Sequence, residues 1–146
     1  FFDAQSSDLM RSTVMLAYIR LLYDVEREAQ ERQLKGEARR AQTLIDSTLK
    51  PRYIQPPSQK ADLNYLVDIF CKWRGPFFYF CSKYCSPGPR ALSLFFKSRF
   101  ARLQYAGENQ FNLAYFRHTG QWWEVMQLLS LEECLDEIQA GGLFTP

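Results

Sequence analysis

The sequence has little of what most catalytic sites require. Histidine occurs once, at His118, so only one side chain has an unperturbed pKa near neutrality for proton transfer. There is no glycine-rich phosphate loop, and no Ser or Cys nucleophile is arranged with a histidine and an acid. No apolar run approaches the roughly 20 residues that a membrane-spanning helix needs. These absences argue against nucleotide hydrolysis, triad catalysis and a membrane partner. His118 itself lies in a predicted turn, and we interpret it as a turn residue that forms local hydrogen bonds.

The beginning of the chain also lacks a secretory pattern. Phe1 and Phe2 stand where an initiator methionine would, and polar residues follow instead of a basic stretch and an apolar run. We therefore expect residue 1 to be the cut edge of a longer protein. Without a secretory signal, the cysteines are expected to be free thiols in a reducing cytoplasm.

Basic residues are concentrated in the middle of the chain. Between Cys71 and Gln121, eight basic residues stand against one acidic residue, Glu108, a net charge of +7. Aromatic residues, 16% of the whole sequence, are interleaved with them. Charge for a phosphate backbone together with rings for stacking is what nucleic-acid binding needs. Rings at strand spacing more often form a core, however, so the pattern favours a solvated basic face that lies over an aromatic core, with nucleic-acid binding as the alternative. The candidate DNA-binding residues are Lys83, Arg90, Arg99, Arg102 and Arg117.

Two of these arginines can be assigned to faces. Arg99 and Arg102 are three apart on a predicted strand, so we expect them to point to opposite faces of a sheet. Arg102 alternates with the apolar residues Ala101, Leu103 and Tyr105. The alternation predicts that Arg102 is the exposed arginine of the pair.

The first part of the chain is predicted to be a helical hairpin. From Ser7 to Gln33 apolar residues recur at three- and four-residue spacings, which is typical of an amphipathic helix. Gly36 is expected to end this helix, and a second helix is predicted from Glu37 to Leu49. Three prolines then predict a linker at residues 50–59, because proline cannot donate a backbone hydrogen bond.

The second part is predicted to be an α+β module over residues 60–146. A helix capped by Ser58 is expected from Lys60 to Lys72, and a strand at residues 77–84. Alternating apolar and polar residues then predict an antiparallel meander with turns at 106–109 and 118–121. The meander strands are residues 101–105, 111–115 and 122–126.

The last predicted element is a helix with a capping box formed by Ser130 and Glu133, ending at Gly141 and Gly142. The fold class is therefore α+β, a helical hairpin followed by a three- to four-stranded meander flanked by helices. The predicted domains are residues 1–49, a linker at 50–59, and residues 60–146.

Four soft ligands raise the question of a zinc site, since such residues can hold tetrahedral zinc. They are Cys71, Cys81, Cys85 and His118. The spacing of Cys81 and Cys85 does not match a common zinc knuckle, and residues four apart on a strand lie about 13 Å from each other. We therefore predict no metal site and no cofactor.

The first 45 residues resemble transposases of the insertion sequence 66 type, in the region after their second catalytic aspartate. In that family, paired phenylalanines lead into a helix that carries Leu-Tyr-x-x-Glu. The matching residues here are Phe1, Phe2, Asp3, Ala4, Leu22, Tyr23, Val25, Glu26, Arg27 and Glu28, followed by Arg39, Arg40 and Gln42. The resemblance implies that all three metal-binding carboxylates of such an enzyme lie outside this stretch. Glu26 belongs to the helix motif, so no catalytic residue is assigned.

The rest of the chain, about residues 62–138, resembles a small bacterial domain of unknown function in which paired strands end in a Trp-containing third strand. The resemblance brings no function with it. The leading hypothesis is a non-catalytic, transposase-derived fragment of a mobile element that retains weak, non-specific DNA affinity. The alternative is a small binding or regulatory module built on the meander, with the N-terminal helices used for self-association.

Overall fold

A single long helix stands where the hairpin was predicted. The computed structural model describes residues 2–56 and 63–146, and helix α1 runs without interruption over Phe2–Leu44. The predicted break at Gly36 does not occur. One glycine costs a helix interior only about 1 kcal/mol relative to alanine, and its neighbours Lys35, Glu37 and Ala38 are good helix formers.

Helix α1 leads into a short π-helix, Ile45–Leu49, and then into helix α2, Lys50–Tyr53. At their junction the Lys50 amide donates to the Ile45 carbonyl, five residues back. Pro51 explains this wider turn, because proline has no N–H and its ring clashes with the carbonyl four residues before it. The start of the predicted linker is therefore helical, whereas residues 57–59, with Ser58, lie outside the described residues.

The helix predicted over residues 60–72 was wrong where the structure describes it. Strand β1 occupies Tyr65–Arg74 and joins the next strand through Gly75 and Pro76, with Gly75 at φ +59°. Its alternate residues Ile69, Cys71 and Trp73 pack in or against the core. The β-branched and aromatic content of this segment suits a strand. Pairing with strand β2 outweighs the helical spacing of its apolar residues, on which the prediction of a helix rested.

The remaining strands are β2, Phe77–Cys85; β3, Phe95–Gly107; β4, Gln110–Phe116; and β5, Trp122–Leu129. All five form one antiparallel sheet in the order β1-β2-β3-β4-β5. Helix α3 follows at Leu131–Ala140, and the Ser130 hydroxyl accepts from the Glu133 amide at 3.2 Å. The predicted α+β class, meander and final helix are confirmed, with five strands in place of three or four.

The chain consists of two compact units, Phe1–Gly36 and Glu37–Pro146. In the second unit, helices cover one face of the sheet, which we call the inner face. Its core is apolar and almost fully buried, and includes Ile45, Leu49, Phe78, Phe80, Leu103, Leu113, Leu135 and Ile138. The predicted domain boundaries at residues 49 and 60 followed the prolines of the predicted linker rather than packing, and they stay a prediction.

The first unit is the N-terminal part of helix α1, and it exposes large apolar side chains around its circumference. Those at least half exposed include Leu9, Met10, Val14, Met15, Leu16, Tyr18, Ile19, Leu21, Tyr23 and Val25. Self-association through this helix stays a prediction. Among the described helices, none is both long enough and apolar enough to cross a membrane.

Of the two glycines at the end of helix α3, we expect Gly141 to be the one whose replacement destabilises the fold more. It has φ +86°, and a Cβ there would lie 3.2 Å from the Tyr53 hydroxyl. We expect Gly141→Ala to lower the free energy of unfolding by about 1–3 kcal/mol, measured by urea unfolding. Gly142→Ala is the control, because Gly142 has φ +64° but open space around it, and it should cost only about 1 kcal/mol. Equal losses would contradict a role for the Tyr53 contact.

Candidate nucleic-acid interface

A β-bulge in β3 determines which basic side chains share a face of the sheet. Phe80 of β2 pairs with Ala101, whereas the next residue, Cys81, pairs with Arg99. Phe100 is therefore the extra residue, and its ring is buried in the core. Because a bulge shifts the alternation of side chains by one position, Arg99 and Arg102 lie on the same face. The prediction that they point to opposite faces was wrong.

That face, opposite the helices, is called the outer face, and the strand register gives it six basic residues. They are Lys72, Arg74, Lys83, Lys97, Arg99 and Arg102. The register adds two carboxylates, Asp68 and Glu124. Asp68 lies 3.4 Å from the Lys50 ammonium, and Glu124 accepts from the Gln127 amide at 2.6 Å. Within the described residues, none of the six basic side chains forms an ion pair.

Aromatic rings, rather than carboxylates, contact two of the three arginines of the outer face, Arg99 and Arg102. The Arg99 guanidinium lies 4.4 Å from the Tyr79 ring centre. The Arg102 guanidinium lies 4.6 Å from Phe77 and 4.9 Å from Trp122. Each such contact contributes about 0.5–1 kcal/mol at an exposed site. Because a ring does not neutralise the cation, the charges remain available to an external anion.

Two of the three lysines, Lys83 and Lys97, also lie over rings, at the other end of the face. The Lys83 ammonium lies 4.6 Å from the Phe95 ring centre, and the Lys97 ammonium lies 5.5 Å from Phe70. Phe95 is 43% exposed. Contacts between cations and rings therefore occur at both ends of the outer face.

Arg102 is not the freely exposed side chain that was predicted. It is only partly exposed, and its Nε is buried without a hydrogen-bond partner. Trp122 reaches it across β4 because the intervening residue, Ala114, is small and almost fully covered. Arg102 is thus a fixed part of the outer face.

The other candidate DNA-binding residues divide between locations. Lys83 joins Arg99 and Arg102 on the outer face. Arg90 is exposed in the loop between β2 and β3, and Arg117 lies 4.1 Å from the ring of Trp123, which the register assigns to the inner face. The role of all five in binding stays a prediction.

Sequence reasoning left three residues of this face out of the candidate set, namely Lys72, Arg74 and Lys97. The signal for the first two was the alternation of Phe70, Lys72 and Arg74 with Ile69, Cys71 and Trp73. Assigning that segment to a helix concealed it.

The candidate zinc ligands are not brought together. Cys81 and Cys85 lie on the outer face, Cys71 on the inner face, and His118 in the turn after β4. Strand β2 continues through Tyr84, so the turn that a shared metal would need is missing there. Over residues 2–56 and 63–146, no three His, Cys, Asp or Glu side chains are grouped as metal ligands.

The pKa of the Cys81 thiol depends on the cations near it. Burial raises the pKa of its thiol, while the cations Lys72, Arg99 and Lys97 act in the opposite direction. Three cations from two different strands therefore surround one point of the outer face. This positive field is the electrostatic requirement for binding an anion.

The part of the chain that matches a known protein family contains the whole sheet. Residues 29–146 match the family described as a domain of unknown function, DUF3024. The chain belongs to this family. The DUF3024 match begins within helix α1 and includes the π-helix, all five strands and α3. No curated protein and no solved structure matches the chain.

The buried thiol of Cys134, on α3, gives a prediction for alkaline pH. Burial raises its pKa to about 12, against about 8.5 for an unfolded thiol. As the pH rises, the thiol therefore loses its proton in the unfolded chain before it does so in the folded chain. Below about pH 8.5 this group leaves the free energy of unfolding unchanged, and above about pH 8.5 it lowers that free energy by up to about 1.4 kcal/mol per pH unit. We expect Cys134→Ala to lose less stability than the unmodified chain between about pH 8.5 and 10.5, measured by urea unfolding. Parallel losses in the two proteins would contradict this assignment.

Proposed function

We propose that the outer face binds DNA without sequence preference, through the phosphate backbone. The observation that carries the proposal is the bulge at Phe100, which aligns Arg99 and Arg102 with four further cations on one face. A cation that neutralises a phosphate releases a condensed counterion, and this release drives non-specific binding. Of the two carboxylates on the face, Asp68 is ion-paired with Lys50 and Glu124 accepts from the Gln127 side-chain amide, so neither is ion-paired with these six cations.

The rings beneath the arginines add to the proposed affinity. Arg99 and Arg102 are positioned by Tyr79, Phe77 and Trp122 before any ligand arrives. Ordering a long charged side chain on binding costs about 0.5–1.5 kcal/mol, and a guanidinium that is already ordered avoids part of that cost. Lys72 and Lys97 are exposed and complete the phosphate-binding surface.

The proposed biological setting is a non-catalytic fragment derived from a transposase and associated with a mobile element. Its support is the likeness of residues 1–45 alone, and the DUF3024 match overlaps the last part of that stretch, from residue 29 onward. A reducing, cytoplasmic compartment is part of the same proposal, supported by four cysteines that are all free thiols.

A small binding or regulatory module is the second candidate, and it would use the same cations. What favours it is Arg102, a partly exposed residue whose buried Nε suits a compact anion as well as a phosphate backbone. The two candidates differ in length dependence, since affinity for DNA rises with the number of phosphates contacted and affinity for a small anion does not.

Removing one exposed cation should weaken the binding of DNA in a defined way. We expect Lys97→Gln to reduce the slope of log affinity against log salt by about 0.9 on duplex DNA or about 0.7 on single strands. At about 0.1 M salt this corresponds to roughly a 5- to 10-fold loss of affinity. Fluorescence anisotropy with labelled DNA at several salt concentrations measures both quantities.

Arg39→Gln is the matched control, because Arg39 is an exposed cation on helix α1 that belongs to the same compact unit. It removes the same charge and should leave the slope unchanged. If the unmodified chain does not bind DNA at about 50 mM salt, or if both variants change the slope equally, the proposed function is wrong.

A further inference from the structure

The outward-facing residues of β3 form a narrow track rather than a broad basic surface. In order along the strand they are Phe95, Lys97, Arg99, Arg102 and Gln104. At about 3.3 Å per residue the track is roughly 25–30 Å long. The bulge at Phe100 keeps it on one face over its whole length.

Cations flank this track on one side only. Lys83 of β2 and the β1 residues Lys72 and Arg74 lie on that side. On the other side, β4 and β5 present Asn112, Ala114, Phe116, Trp122 and Glu124 to the outer face, with no basic residue among them. A duplex offers two phosphate strands on either side of a groove, and this face has cations for one of them.

Aromatic rings stand where the bases of that one strand would lie. Phe95 is 43% exposed at one end of the track, and Phe116, 40% exposed, lies on β4 level with the bulge, next to the paired residues Tyr115 and Ala101. The ring of Phe116 lies 5.1 Å from that of Trp122, which in turn contacts Arg102. Stacking of bases on such rings tolerates any sequence, because every base has a π-face. In a duplex the bases are paired and stacked, so the rings cannot reach them.

We infer that the ligand of the outer face is single-stranded DNA, bound along β3 over roughly four to six nucleotides, the low end of site sizes for single-strand-binding sheets. Lys83, Lys97, Arg99 and Arg102 contact the phosphates, and Phe95 and Phe116 stack on bases. This inference rests on the proposed function and specifies which form of DNA the face binds.

The neighbouring pair Phe95 and Phe96 provides the test. Both rings are about equally exposed, 43% and 41%, but the register assigns Phe95 to the outer face and Phe96 to the inner face, where Phe96 stacks on Tyr84 at 5.2 Å. We expect Phe95→Leu to weaken binding of an oligothymidine of about eight nucleotides by roughly 5-fold or more. Phe96→Leu should leave that affinity unchanged, and Phe95→Tyr, which retains a ring, should restore most of it.

The salt slope separates this inference from the function on which it rests. Phe95→Leu removes no charge, so its slope should equal that of the unmodified chain, and its affinity for a duplex of about 20 base pairs should not change. Anisotropy titrations with both DNA forms measure this, and thermal unfolding checks that each variant is folded. If duplex binds as tightly as oligothymidine and Phe95→Leu behaves like Phe96→Leu, the single-strand inference is overturned while the Lys97 result still supports DNA binding. If neither DNA form binds, both are overturned.

Discussion

The insertion of one residue, Phe100, into β3 is the constraint on which the outer face depends. Its ring joins the core between the sheet and the helices, and burying a Phe side chain contributes about 1.5–3 kcal/mol. Because Phe100 is accommodated as a bulge, Arg99 lies on the face that carries Arg102 although the two are three residues apart. Core packing on one side of the sheet therefore determines the charge pattern on the other. A strand without the bulge would divide these arginines between the two faces.

The second feature of the face is that rings take the place that carboxylates usually have beside arginine. An ion pair would fix the guanidinium but also neutralise it, whereas Tyr79, Phe77 and Trp122 fix it and leave its charge. The arrangement requires a small residue at Ala114, since a larger side chain there would keep Trp122 away from Arg102. The basic segment seen in the sequence is thus an ordered layer over the sheet.

Local signals in the sequence were sufficient for the meander and for α3, because strand alternation and the capping box formed by Ser130 and Glu133 act within a few residues. The break at Gly36 and the helix over 60–72 were wrong for reasons that are not local. Helix α1 tolerates one glycine between good helix formers, and β1 is a strand because it pairs with β2. The bulge could not be predicted either, since nothing at residues 99–101 indicates which residue is unpaired. The shared face of Arg99 and Arg102 follows only from the register.

The Nε–H group of Arg102 tests this account most directly, and NMR of a ¹⁵N-labelled chain observes it. Because this group is buried beside Phe77 and Trp122, its proton should be shifted by the ring currents and should exchange slowly with water. On addition of a short oligothymidine, the Nε–H resonances of Arg99 and Arg102 should move together, while that of Arg39 stays in place. An Arg102 resonance at the position of free arginine, exchanging rapidly and not responding to the oligonucleotide, would contradict the account.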